Sequence, residues 1–149
     1  LNAIHFEAPI PQHVQIRALT ADDAPTLIAH LSHIEEFAHS FVGFEQKRTA
    51  EFCANLEAGC LAMGAFVHDQ LVASAQTSAD NSISAMVTSV ATLASFRKRG
   101  IASAIVNELC KACFARGKQF LCLFYDNPAA GRIYQRIGFI KVGEYAMLQ

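Results

Sequence analysis

Arg97, Lys98 and Arg99 stand directly before Gly100-Ile101-Ala102-Ser103, and no other stretch of the chain combines residue types and spacing so suited to chemistry. The run from Val90 reads as extended, and Gly100 reads as the opening of a helix. A helix N-terminus carries amide N–H groups without intrahelical acceptors and the positive end of the helix dipole, so it favours an anion. A strand, a phosphate-sized nest of amides and a helix in succession suggest a cofactor carrying a pyrophosphate. Taken alone, the same residues also read as a solvated basic turn.

The cysteines are less informative. Cys53, Cys60, Cys110, Cys113 and Cys122 are an odd number spread through apolar patterning, which suits a reducing cytoplasm better than a disulfide framework. Cys110 and Cys113 form a C-x-x-C late in a helical stretch, on its apolar side, and read as small buried hydrophobes; no metal is expected.

Composition sets the limits. The chain has 149 residues, 52% of them hydrophobic, and a formal net charge of −1. One α/β domain over 1–149 is expected, with 1–13 as a lead-in segment containing Pro9 and Pro11. Near-neutral charge argues against a nucleic-acid partner, which needs a broad positive field. No apolar run approaches the ~20 residues of a membrane span, and no signal peptide is recognisable. A cytoplasmic monomer or homodimer is expected; beginning at Leu1, the chain could be processed or the trailing domain of a longer protein.

The elements that must position the basic turn follow from periodicity. Val14–Leu19 alternates as a strand, and Thr20 with Asp22 and Asp23 caps a helix whose face is Leu27, Ile28, Leu31 and Ile34. His33–Phe44 is apolar-aromatic with interspersed acids and histidines, and no element is assigned to it. A second helix spans about Glu45 to Glu57, turning Phe52, Cys53 and Leu56 inward. Cys60–Val67 and Leu71–Thr77 form a hairpin through His68-Asp69-Gln70, and Asp80-Asn81-Ser82 turns into a strand over Ile83–Leu93. Gly100 to about Arg116 is an amphipathic helix closed by Gly117. Phe120–Tyr125, almost wholly apolar, predicts a strand covered on both faces. A helix from Asn127-Pro128 to Ile137 and a final strand over Phe139–Leu148 complete a mixed central sheet flanked by helices.

This element order and two motifs resemble the GCN5-related N-acetyltransferase (GNAT) superfamily. The first motif is Arg97-Lys98-Arg99-Gly100-Ile101-Ala102; the second comprises Asn127, Ala130, Tyr134, Gly138 and Phe139. The segment Phe124–Tyr134 is most similar to the FR47-like branch. The resemblance implies the GNAT acyl-CoA N-acyltransferase fold and acetyl-CoA as cosubstrate. It implies that Val90, Ala91 and Thr92 hold the pantetheine arm by main-chain hydrogen bonds. Arg97, Lys98, Arg99, Gly100, Ile101, Ala102 and Ser103 would surround the pyrophosphate, and Asn127 would bond the cofactor. Tyr134 would protonate the departing thiolate, a task a phenol performs as charge develops on sulfur. The acceptor implied is a small-molecule or peptide amine.

The chain departs from the family pattern in two places. Leu93-Ala94 stands where many relatives have a proline, and Ile83–Leu93 contains neither carboxylate nor histidine to serve as a base. His33, Glu35, Glu36 and His39 are candidates for the acceptor site, each equally readable as a solvated side chain. Two other functions fit: a non-catalytic CoA-binding module of a longer protein, and a nucleotide-binding domain. The latter lacks both G-x-x-x-x-G-K-[ST] and G-x-G-x-x-G.

Overall fold

The computed structural model describes residues 9–78, 81–125 and 128–143. The first strand, β1 (Gln15–Ala18), runs into a short 3-10 turn and helix α1 (Ala24–Ser32). The junction is fixed by charge. Both oxygens of Asp23 accept from the Arg17 guanidinium at 2.9 and 3.0 Å, and the Thr20 N–H donates to the same carboxylate at 2.8 Å. The adjacent guanidinium lowers the Asp23 carboxyl to about 2. The expected face of Leu27, Ile28, Leu31 and Ile34 is buried.

The unassigned stretch contains helix α2 (Glu35–Phe41), followed by α3 (Glu45–Glu57) at the expected bounds. Ile34, Phe37, Ala38 and Phe41 follow a helical period, but none of the α2 residues is fully buried. The hairpin is β2 (Ala62–Val67) and β3 (Gln70–Ser78), turning at His68 and Asp69. Both turn residues have left-handed backbones (φ +49° and +63°), the geometry that matches the twist of two paired strands.

Strand β4 (Ser84–Thr92) leads through Ala94–Phe96 and the basic turn to helix α4 (Ile101–Ala115), then β5 (Phe120–Cys122) and helix α5 (Pro128–Ile137). The five strands lie in the order β1-β2-β3-β4-β5. The first three pairings are antiparallel and β4–β5 is parallel, giving the mixed sheet. One core cluster joins Ile105, Val106 and Leu109 of α4 to Val72, Ala75 and Val87 of the sheet and Tyr134 and Ile137 of α5. The opposite face joins Leu27, Leu31 and Phe52 to Leu71 and Ala91.

Two expectations need correction. Phe120–Tyr125 is not a strand covered on both faces: strand pairing spans only Phe120–Cys122, and Phe120 is 43% exposed. Alternate residues of the run (Leu121, Leu123 and Tyr125) pack on the core, so its uniform apolarity conceals a one-sided segment. Residues 139–143 are not strand; the remainder of the predicted Phe139–Leu148 strand lies outside the described residues, as do Asp80 and Asn127.

Candidate functional site

Strand β4 is interrupted at the point where the site forms. Ser74 faces Ala91 and Gln76 faces Thr88, so one residue of β3 opposes the pair Ser89 and Val90. This is a bulge, which leaves one residue out of the ladder and re-aims the strand. Ser89 carries the strain, with φ +53°, an unfavourable value for a residue with a Cβ. On its other edge, β4 pairs with β5 only across Ser84–Met86 and Phe120–Cys122. Beyond those three residues, no pairing joins the described chain after β5 to β4, so the edge carrying Val90, Ala91 and Thr92 has no strand partner there, although the Thr92 carbonyl already accepts from a side chain.

The basic turn sits where that edge ends. Gly100 is left-handed (φ +80°), and the first backbone bond of α4 runs from the Ala104 N–H to the Gly100 carbonyl. The amides of Ile101, Ala102 and Ser103 precede it and have no intrahelical acceptor. The Ile101 side chain is buried, so this residue can offer an anion only its backbone. Lys98 is exposed. Arg99 lies over the Phe96 ring at 5.2 Å. Arg97 is committed elsewhere: its Nε–H donates to the Thr92 carbonyl at 3.1 Å, and its guanidinium pairs with Glu36 of α2 at 3.2 Å. Sixty-one residues separate Arg97 from Glu36, so no local pattern marks this tie between the turn and α2.

Tyr134 is 8% exposed and packs against Tyr125 and Phe139, with ring centroids 5.9 and 6.2 Å away. Burial raises its phenol pKa, so the hydroxyl stays protonated at neutral pH. Tyr125 is held close by a missing side chain: a Cβ on Gly131 would stand 2.3 Å from its Cε2 and 2.6 Å from its Cζ.

On the opposite face of the sheet, a cavity of about 290 Å³ opens between the helices and the bulge. Phe37, Phe41 and Phe52 form its helical wall, while Gln76, Thr88 and Ser89 form part of its floor. Arg48 and Glu51 are its charged lining residues and pair with each other at 2.9 Å. Arg48 also donates from Nε to the Ser40 carbonyl at 2.9 Å and lies 5.5 Å from the Phe41 ring centroid, fixing α2 against α3. His33, Glu35, Glu36 and His39 do not line this cavity. His33 borders a separate hollow between α1 and α3 that touches no strand. None of these cavity features has a sequence motif; only the aromatic residues between 37 and 52 could have drawn attention.

Other reactive groups lie apart. Cys110 and Cys113 are buried, and burial pushes the Cys110 thiol up to about 12. Among the described residues, no three His, Cys, Asp or Glu side chains gather as a metal site, and no helix is long and apolar enough to cross a membrane.

The Acetyltransferase (GNAT) family model matches residues 27–139. No curated protein sequence matches the chain. Among solved structures, a transcriptional regulator from Bacillus halodurans superposes with TM-score 0.77 at 21% identity, covering 92% of this chain and 99% of that one. AAC(6')-Iy in complex with a bisubstrate analog, CoA-S-monomethyl-acetylneamine, gives 0.76 at 16%, covering 93% and 98%. A predicted acetyltransferase with acetyl-CoA from Clostridium acetobutylicum gives 0.73 at 17%, covering 91% and 96%. At these identities the likeness is one of fold.

Proposed function

Because the chain belongs to the GNAT acetyltransferase family, we propose that it is an N-acetyltransferase that moves the acetyl group of acetyl-CoA to a primary amine. The observation that carries this reading is the early parting of β4 from β5 beside the N-terminus of α4. It gives an extended donor two kinds of grip: an open strand edge at 90–92 and unpaired amides at 101–103. Lys98, Arg97 and Arg99 add positive charge around the same turn, and Asn127, adjoining the start of α5, is assigned to the cofactor by its motif. The chemistry of that arrangement fits a pyrophosphate joined to an amide-bearing arm.

Acetyl-CoA supplies a thioester whose carbonyl carbon is electrophilic. The amine nitrogen bonds that carbon, the carbon–sulfur bond breaks, and the nitrogen releases a proton to water. In this assignment, backbone amides near the bulge stabilise the developing oxyanion. Tyr134 holds its proton at neutral pH, gives it to the departing sulfur and regains one from water, so the proton released by the nitrogen balances the one taken up. The bulge lies between the open edge and the cavity behind it, so donor and acceptor would meet at Ser89.

The branch assignment is FR47-like, supported by Phe124–Tyr134. A domain spanning 1–149, acting as a cytoplasmic monomer or homodimer without metal, completes the reading. A second reading has one observation in its favour: the cavity carboxylate, Glu51, is already paired with Arg48. A CoA-binding module without catalysis needs no free base. Thermal unfolding with and without acetyl-CoA, followed by thiol release across a panel of amines, tests both. Protection with thiol release supports the enzyme; protection alone supports the module. No protection removes both.

A further inference from the structure

We propose that the cavity between α1–α3 and the β4 bulge accepts a monoamine bearing one aryl ring or an apolar group of that size. This identifies the acceptor class within the acetyl-transfer reading above and rests on it. Three observations carry it. The wall is aromatic: Phe37 and Phe41 meet edge to face at 6.3 Å, and Phe52 is buried beside the α1 leucines. Such rings offer both edges and faces to a flat guest.

Charge is the second observation. A polyamine or amino sugar with several cationic groups needs several carboxylates to replace its water. Among the described residues Glu51 is the only carboxylate lining the cavity, and Arg48 pairs with it at 2.9 Å. A further cationic group held against the aromatic wall would give up water with no second carboxylate among the described lining residues to replace it. Hydrogen-bonding groups are confined to the other side, where Gln76, Thr88 and Ser89 can receive an uncharged amine next to the bulge.

Size is the third. A leucine- and phenylalanine-lined cavity of about 150 Å³ is enough for benzene. About 290 Å³ therefore leaves room for a ring and a short arm, and too little for a multi-ring amino sugar to be enclosed.

The test uses 2-phenylethylamine, spermidine and kanamycin. Each is titrated calorimetrically into CoA-saturated protein and, separately, assayed for thiol release from acetyl-CoA. The expected result is binding of 2-phenylethylamine, with kcat/KM at least tenfold above the two polycations. Phe41→Ala should raise the KM for 2-phenylethylamine about tenfold and leave that for acetyl-CoA within twofold. Ser40→Phe keeps the backbone bond to Arg48 while filling the cavity, and should abolish 2-phenylethylamine binding. Binding without thiol release would support the cavity assignment and sink the acetyl-transfer reading. Transfer to spermidine or kanamycin, with 2-phenylethylamine inert in both assays, would overturn the cavity assignment and leave acetyl transfer standing. Absence of binding by 2-phenylethylamine would also overturn it.

Discussion

Replacing His30 with leucine should flatten the acid side of the stability curve. His30 lies on α1, 6% exposed, and neither ring nitrogen makes a hydrogen bond of good geometry. Burial lowers its pKa from 6.5 to about 4; the Leu71 backbone opposes this in part, and the nearby His33 adds to it. In the folded chain the ring therefore stays neutral across a range where the unfolded chain takes up a proton. The stability associated with the neutral ring is present above pH 6.5 and is lost as pH falls towards about 4. At about 1.4 kcal/mol per unit, the loss is about 2 kcal/mol by pH 5 and about 3 kcal/mol by pH 4. His30→Leu abolishes this contribution and also removes two unsatisfied buried nitrogens, so it should be no less stable than the parent at pH 7. Urea unfolding followed by circular dichroism at pH 7, 5 and 4 measures it. Acid effects shared by both proteins, such as protonation of Asp23, cancel in the difference. Parallel curves for parent and variant over this range would refute the reasoning, because they would mean that His30 protonates equally in both states.

Three further perturbations address the site. Gly131→Ala drives a methyl into the Tyr125 ring; overpacking of about 1–3 kcal/mol outweighs the better helix propensity of alanine, so Tm should fall by a few degrees and near-ultraviolet circular dichroism should change. An unchanged Tm would mean the ring is free to leave. Tyr134→Phe should lower kcat at least tenfold while CoA affinity stays within twofold; unchanged turnover would remove Tyr134 as the acid. Arg97→Ala should weaken CoA about fivefold, on the order of 1 kcal/mol for a cation at a phosphate site. If Arg97 serves only to tie Glu36 to the end of β4, its loss would leave CoA affinity unchanged, and an exposed pair of this kind is worth at most about 1 kcal/mol to the fold.

The parts of this structure legible in sequence are those with a repeated physical signal. The α3 bounds, the hairpin and the Gly100 helix start all follow from local periodicity or turn chemistry. The basic turn reads in sequence as a candidate anion site because its charges and small residues are contiguous. The cavity beside the bulge has no such signal, because its wall comes from α1, α2 and α3 and its floor from β3 and β4, joined only by folding. Helix α2 is short, and its Phe37 and Phe41 are shared between the edge of a core cluster and the cavity, so acids, histidines and aromatics alternate in its sequence without a sharp boundary. The stretch after Phe120 misled in the opposite sense: apolar residues on its exposed side imitate burial. Strain at Ser89 has no signature at all, since serine is ordinary in a strand and only its torsion is exceptional.

The extra residue in β4 is taken up locally by the bulge. Val87 and Val90 both turn to the α4 side, although they are an odd number of residues apart, while Thr88 and Ala91 turn to the other face. A uniform strand would place Val87 and Val90 on opposite faces. Side chains along β4 can therefore drift among residues of similar size and polarity at modest cost. Removing Ser89 would restore uniform alternation with Val87, Thr88, Val90 and Ala91 still on their present faces, so the ladder would survive and the bulge alone would be lost. The sheet therefore does not need the extra residue to keep its core, and what that residue supplies is the local shape of the strand beside the cavity.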